Sequence, residues 1–203
     1  MKTNWVERLW IDGPWRIPFQ VGEVRFFKSL CKVPAGAHVL EIGCGRGAGA
    51  RLILKEFLPA RIEAIDIDPD MIQRARRSDG KHGADGDRMS FRVADAQDLP
   101  FPDASMDAVF NFGIIHHLED WRRGIREVAR VLKPGGLFCF EEIYPALYAG
   151  FILRWVLVHP REDRFDGPQY RTELEAAGIR LLEGCRESKY TILGVGRREG
   201  RKP

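Results

Sequence analysis

The chain has almost no surplus of charge: 32 lysines and arginines stand against 29 aspartates and glutamates, for a formal net charge of +3 at pH 7. Binding a phosphate backbone needs a concentrated basic stripe, so nucleic acid is not expected as a partner. Cysteine is scarce as well. Cys31, Cys44, Cys139 and Cys185 are scattered with no C-x-x-C pair, which argues against a zinc ribbon or a disulfide framework and predicts a reducing, cytoplasmic setting. Long apolar runs are missing. The most apolar stretch, 144–160, is short, contains Arg154 and is bracketed by prolines, so no membrane span is expected. The opening Met-Lys-Thr-Asn-Trp-Val-Glu-Arg carries charge where a secretion signal needs an apolar core, and export is not expected either. Internal repeats and low-complexity tracts are absent. What remains is an ordinary globular composition, 44% hydrophobic and 30% charged, in 203 residues, a length that fits one domain with a sizeable core.

Residues 39–49 read Val-Leu-Glu-Ile-Gly-Cys-Gly-Arg-Gly-Ala-Gly, an apolar strand running into a glycine-rich turn. Gly43, Gly45 and Gly47 can take positive φ without steric cost and have no Cβ, so a ligand can approach the backbone closely. A helix predicted over 46–58 would present unpaired N–H groups to that ligand. The string also satisfies G-x-G-x-x-G/A, so on this segment alone a nicotinamide or flavin dinucleotide stays open. Glu41 points the other way: a carboxylate beside two phosphates is repelled, whereas it suits a cationic or amino-acid-like ligand.

Apolar runs alternate with helical periods along the chain. Strands are predicted at 38–42, 61–66, 90–93, 107–112 and 137–142, and helices at 46–58, 69–78 and 119–132. In the last helix Trp121, Ile125, Val128 and Leu132 share one face, while Arg122, Arg123, Arg126 and Arg130 are read as solvated. Such alternation predicts an α/β, doubly wound, mostly parallel sheet whose ligands bind beyond the carboxyl ends of the strands. Lys133-Pro134-Gly135-Gly136 should end the helix and turn the chain into the next strand. Runs 179–185 and 190–196 are separated by so short a connection that they predict an antiparallel hairpin. A single domain over 1–203 follows: an N-terminal cap (1–30) rich in tryptophan and phenylalanine, a ligand-binding core (31–142), an insertion (143–168) that would serve as lid or substrate wall, and a C-terminal helix and hairpin (169–203).

Asp66 closes the second strand at the edge where the glycine turn lies, and a carboxylate there can accept both hydroxyls of a ribose. Asp68-Pro69 has a structural explanation instead, with Asp68 as N-cap and Pro69 as first helical residue. Asp95 follows the third strand, where it can accept from an exocyclic amine such as that of adenine or simply serve a turn. Asn111, His116 and His117 are the polar groups after the fourth strand.

In this order, V-L-E-I-G-C-G-R-G, I-D-I-D-P-D-M-I, A-D-A-Q-D-L-P-F, F-N-F-G-I-I-H-H-L and R-V-L-K-P-G-G-L-F resemble the class I S-adenosylmethionine-dependent methyltransferases, in particular their small-molecule, quinone-biosynthesis-like branch. The likeness covers 36–142. It implies a Rossmann-like seven-stranded sheet and S-adenosyl-L-methionine as cofactor. It also implies that Glu41, Gly43 and Gly45, with Cys44 between the glycines, line the methionine and ribose part, and that Asp66 meets the ribose hydroxyls. Ile67 and Met71 would flank adenine, Asp95 and Ala96 would meet its amine edge, and Asn111 would lie near the methionine moiety.

A sulfonium methyl is already activated, so positioning can supply about 7–11 kcal/mol of the barrier reduction and a dedicated base is optional. His116 or His117 is the candidate base if the acceptor carries a proton. Adjacent histidines with no third ligand nearby in sequence do not make a metal site, and none is expected. Residues 151–158 are apolar apart from Arg154, and with Trp5, Trp10 and Trp15 they could wall a pocket for a small hydrophobic acceptor. A membrane-surface contact through Arg154 and Trp155 is the weaker reading. Two alternatives stand beside methyl transfer to a small molecule. One is an RNA or protein methyltransferase, although Asn111-Phe112-Gly113-Ile114 stands where an asparagine-proline-proline-aromatic motif would be. The other is a non-catalytic protein that only binds the cofactor.

Overall fold

The computed structural model describes residues 16–79, 88–148 and 163–200. In chain order these form α1 (Arg16–Leu30), β1 (His38–Ile42), α2 (Ala48–Phe57), β2 (Arg61–Asp66), α3 (Pro69–Asp79), β3 (Met89–Val93) and β4 (Met106–Phe112). A 3-10 turn (Ile115–His117), α4 (Trp121–Val131), β5 (Leu132–Ile143), α5 (Pro145–Tyr148), α6 (Gly167–Ala176), β6 (Ile179–Leu181), β7 (Arg186–Glu187) and β8 (Thr191–Arg198) complete them. The sheet runs β3-β2-β1-β4-β5-β8-β6. β1 to β5 are mutually parallel, and β8 is antiparallel to both β5 and β6. The expected seven strands make up this path, and the two-residue β7, paired with β8 beside β6, adds an eighth.

Strands covered on both faces need side chains buried on both, which is why β1, β2 and β4 are mostly apolar and bury even Glu41, Glu63 and Asn111. On one face Val24 and Phe27 of α1, Ile53 and Leu54 of α2 and Ile72 of α3 pack with Val39, Phe110 and Cys139. On the other, Trp121, Ile125 and Val128 of α4 and Tyr170 and Leu174 of α6 pack with Leu40, Val109 and Phe140. The chain winds outward from β1 to β3, then crosses back to β4 and β5. Strand order therefore reverses between β1 and β4, and the crevice between their carboxyl ends is where an open α/β sheet binds ligands.

Several local departures from the expected boundaries have physical causes. α2 begins at Ala48 rather than at residue 46, because Gly47 holds φ at +77° and belongs to the turn. Lys133-Pro134-Gly135-Gly136 does not stand between helix and strand but forms a bulge inside β5: Met106 pairs with Leu132 and Ala108 with Leu137. Gly135 carries that bulge at φ +82°. The run 179–185 breaks after Leu181, where a turn through Gly184 at φ +90° leads into β7; the antiparallel hairpin is thus β6 and β7 against β8. Trp5, Trp10, Trp15 and the run 151–158 lie outside the described residues. Of the aromatic N-terminal segment, α1 is described: Phe27 is buried against Phe110 and Phe112, and Phe19 is exposed. No helix among the described residues is long and apolar enough to cross a membrane.

Candidate functional site

At the end of β1 the chain enters the glycine turn, with Gly43 at φ +70°, Gly45 at +50° and Gly47 at +77°. A Cβ on Gly43 would collide with Ile114, which leads from β4 into the 3-10 turn, so the loops after the two switch-point strands touch here. A Cβ on Gly45 would meet nothing within 4 Å, so the space above this residue is open. Glu41, one strand residue before the turn, is 1% exposed. It accepts a hydrogen bond from the Ala50 N–H in the first turn of α2, and a Cβ on Gly49 would collide with its Oε1. The start of this helix therefore already faces a carboxyl group. That arrangement disfavours a pyrophosphate, which would compete for the same donors and be repelled by the acid.

The other oxygen of Glu41, Oε2, is buried without a hydrogen-bond partner. Burial raises the Glu41 pKa to about 8, partly opposed by the Ala50 N–H and Arg51, while Asp66 raises it further. A buried acceptor with no donor is costly, and a cationic or N–H-bearing ligand would relieve it. Asp66 ends β2 beside the turn: Oδ2 accepts from Gly45 N at 2.8 Å and Oδ1 from Asp68 N at 2.9 Å. The carboxylate is anchored to the backbone in this way and keeps lone-pair capacity for a hydroxyl donor. Its pKa too is raised, chiefly by burial. Cys44, buried between the glycines, donates its N–H to Ile65 O at 2.8 Å and so ties the turn to the end of β2; burial pushes its thiol pKa far up.

Asp68 caps α3 through Asp70 N at 2.9 Å, the role assigned to it above. Ile67 is 51% exposed at this edge, an apolar side chain open to a flat partner, whereas Met71 is buried. Asp95 makes an Asx turn to Gln97 N at 2.8 Å and also accepts from the Gln97 side chain; Ala96 beside it is buried. The loop carrying both is pinned by Arg130, which donates to the Leu99 and Phe101 carbonyls at 2.9 and 2.8 Å and pairs with Glu127 and Asp103. Glu127 in turn accepts from Leu99 N at 2.7 Å. Arg130 is thus a clamp between α4 and this loop, not part of a solvated face. Arg122 and Arg126 pair with Glu173 on α6.

Asn111, at the end of β4, is fully buried and engaged: Nδ2 donates to Glu142 Oε1 at 2.6 Å, and Oδ1 accepts from Ile114 N at 3.0 Å. His116 is buried in the 3-10 turn with Nδ1 2.6 Å from Glu142 Oε2, and the His117 ring lies 4.2 Å from it, centroid to centroid. Sequence reasoning passed over Glu142. Its signal was a pair of acids, Glu141-Glu142, closing a strand that is otherwise Leu-Phe-Cys-Phe. Glu141 points to the α1 side, near Arg16 at 3.8 Å, and burial holds its pKa at about 8. Among the described residues no group of three or more His, Cys, Asp or Glu side chains could hold a metal ion.

A family model described as a methyltransferase domain matches residues 40–140. A fatty-acid O-methyltransferase of Mycolicibacterium smegmatis is 35% identical over 147 residues, 72% of this chain and 45% of that protein. The 27-O-demethylrifamycin SV methyltransferase of Amycolatopsis mediterranei is 40% identical over 108 residues, 53% of this chain and 39% of that protein. The chain thus spans less than half the length of either relative. A solved structure of a SAM dependent methyltransferase from Aquifex aeolicus superposes with a TM-score of 0.69 at 20% identity, covering 95% of this chain and 96% of that one, which speaks to the fold.

Proposed function

Because the chain belongs to the methyltransferase-domain family, we propose that it transfers a methyl group from S-adenosyl-L-methionine to a small, hydrophobic acceptor. The observation that carries this reading is the acidic cradle at the switch point, in which the buried Glu41 Oε2 lacks a donor and the ground above Gly45 is open. These residues fit an adenosyl sulfonium. Held there, the ligand would supply an activated methyl group on a positively charged sulfur. Glu41 offers negative charge to the cationic end, Asp66 accepts from the ribose hydroxyls, and exposed Ile67 gives adenine an apolar surface. Asp95 and Ala96, held by the Arg130 clamp, stand at the adenine edge, and Gly43, Cys44 and Gly45 let the ligand lie against the backbone. Asn111 acts from below by fixing Ile114 against the turn, and Met71 backs the adenine side from the core.

The acceptor would sit beyond the ends of β4 and β5, where His116 and His117 stand. Relatives that methylate a fatty acid and a demethylrifamycin support a hydrophobic acceptor. The cytoplasm is the setting we assign, on the cysteine pattern. Screening lipophilic phenols, amines and fatty acids while following S-adenosylhomocysteine release tests the reading. Acceptor-dependent release is expected; binding of the cofactor without turnover on any acceptor would leave a non-catalytic binder, and methylation of RNA or protein alone would replace the substrate class.

A further inference from the structure

Glu142 is fully buried and ringed by donors. Its Oε1 accepts from Asn111 Nδ2 at 2.6 Å and Ile115 N at 2.8 Å, and its Oε2 accepts from His116 N at 3.2 Å and faces His116 Nδ1 at 2.6 Å. Three of these four partners can only donate, so the carboxyl group is held as an acceptor and the shared proton belongs on Nδ1. Nε2 then carries the ring's lone pair. Burial lifts the Glu142 pKa to about 7, and the same hydrogen bonds pull it down. The histidine stands close to the cradle: Ile114, two residues before it, abuts Gly43, and a Cβ on Gly113 would come 3.5 Å from His116 Cε1. Aromatic rings wall this side of the sheet, with Trp121 to Phe165 and Phe165 to Tyr170 each at 4.7 Å between centroids.

An oriented imidazole at this edge is superfluous for a carboxylic acid acceptor, which is ionised at neutral pH with a pKa of about 4. A phenol keeps its proton up to about pH 10, and its oxygen is a poor nucleophile until that proton leaves. Resting on the methyl-transfer reading, we propose that the acceptor is a hydroxyl compound of the phenol type, whose proton passes to His116 Nε2, with Glu142 as the positioning residue that fixes the ring. The phenol oxygen forms the new bond to the methyl carbon as the C–S bond breaks with its electron pair going to sulfur. The proton ends on Nε2, and Glu142 balances the imidazolium.

Glu142→Gln tests this, because a glutamine keeps the shape and one acceptor oxygen for Asn111 Nδ2 and Ile115 N, while its amide N–H would face His116, donating to Nδ1 and driving the ring proton to Nε2. Long-range proton–nitrogen NMR of the wild type should show His116 protonated at Nδ1 and bare at Nε2, and the variant the reverse. With nonylphenol as acceptor, kcat for S-adenosylhomocysteine release should fall about 100-fold in Glu142→Gln and in His116→Gln, with KM little changed. The double variant should be no slower than either single one, since the pair acts as a unit. An Nε2–H ring in the wild type, undiminished nonylphenol turnover in Glu142→Gln, or nonylphenol left unmethylated by a protein that binds S-adenosylmethionine would each overturn the inference while leaving methyl transfer standing. Absence of S-adenosylmethionine binding in calorimetry would instead remove the reading beneath it.

Discussion

Glu41 and Gly49 constrain each other across the start of α2, and the constraint sets two local rules in opposition. Helix propensity favours alanine over glycine in a helix by about 1 kcal/mol. Contact opposes it, because a Cβ on Gly49 would displace the Glu41 carboxyl group. Gly49→Ala is therefore expected to weaken S-adenosylmethionine binding more than tenfold by calorimetry without raising the melting temperature; unchanged affinity would show that Glu41 does not act in the cradle. Asp66→Ala removes an acceptor from two backbone N–H groups and from the ribose. At about 1.5–3 kcal/mol for a charge-assisted contact, affinity should drop by roughly 10- to 100-fold. Both acids could be picked out from sequence because a carboxylate at the end of an apolar strand has few structural uses, whereas Asp68, before a proline, has an obvious one. Glu142 could not, since its partners Asn111, Ile115 and His116 lie 26 to 31 residues away and meet it only once β4 and β5 are paired.

α4 shows the same limit at the scale of an element. Its apolar stripe of Trp121, Ile125 and Val128 is buried as the period of the sequence requires, and Leu132, also buried, is extended and opens β5. The polar face carried no such signal. Among its arginines only Arg130 reaches back to the Leu99 and Phe101 carbonyls, and nothing in helical spacing separates it from Arg123 or Arg126. Arg130→Ala should lower the melting temperature by about 2–4 °C per kcal/mol lost and weaken cofactor binding several-fold, through loosening of the loop that carries Asp95 and Ala96. Thermal unfolding and calorimetry of one variant check both; a stability loss with full affinity would confine the clamp to folding. Boundaries were hardest to read where glycine acts inside a strand or turn: Gly135 lets β5 absorb a bulge that reads as a loop, and Gly184 splits a run that reads as one strand.

Across the whole molecule, alternation of strands and helices was enough to predict the parallel winding and hence the crevice between β1 and β4. Charge burial at that edge was not legible, because it depends on which side chains the fold covers. Glu41 and Glu141 have pKa values raised to about 8, in each case first by burial. An unfolded chain would release these protons near the ordinary value of 4.5, while the folded one keeps them, so folding binds protons in between and stability falls as pH rises from 4.5 towards 8. The ligand-free melting temperature should decline through that window, and Glu41→Gln should flatten part of the decline; a rise with pH would contradict the burial of these groups as neutral acids. A cationic ligand reverses the preference at Glu41, favouring the ionised form. The most direct test is therefore calorimetric titration of S-adenosylmethionine at neutral pH in two buffers of different ionisation enthalpy. Saturable binding accompanied by proton release is predicted for the wild type, with both weakened in Glu41→Gln. A wild type that gives no binding heat, or a variant that binds as tightly with the same proton release, would contradict the account.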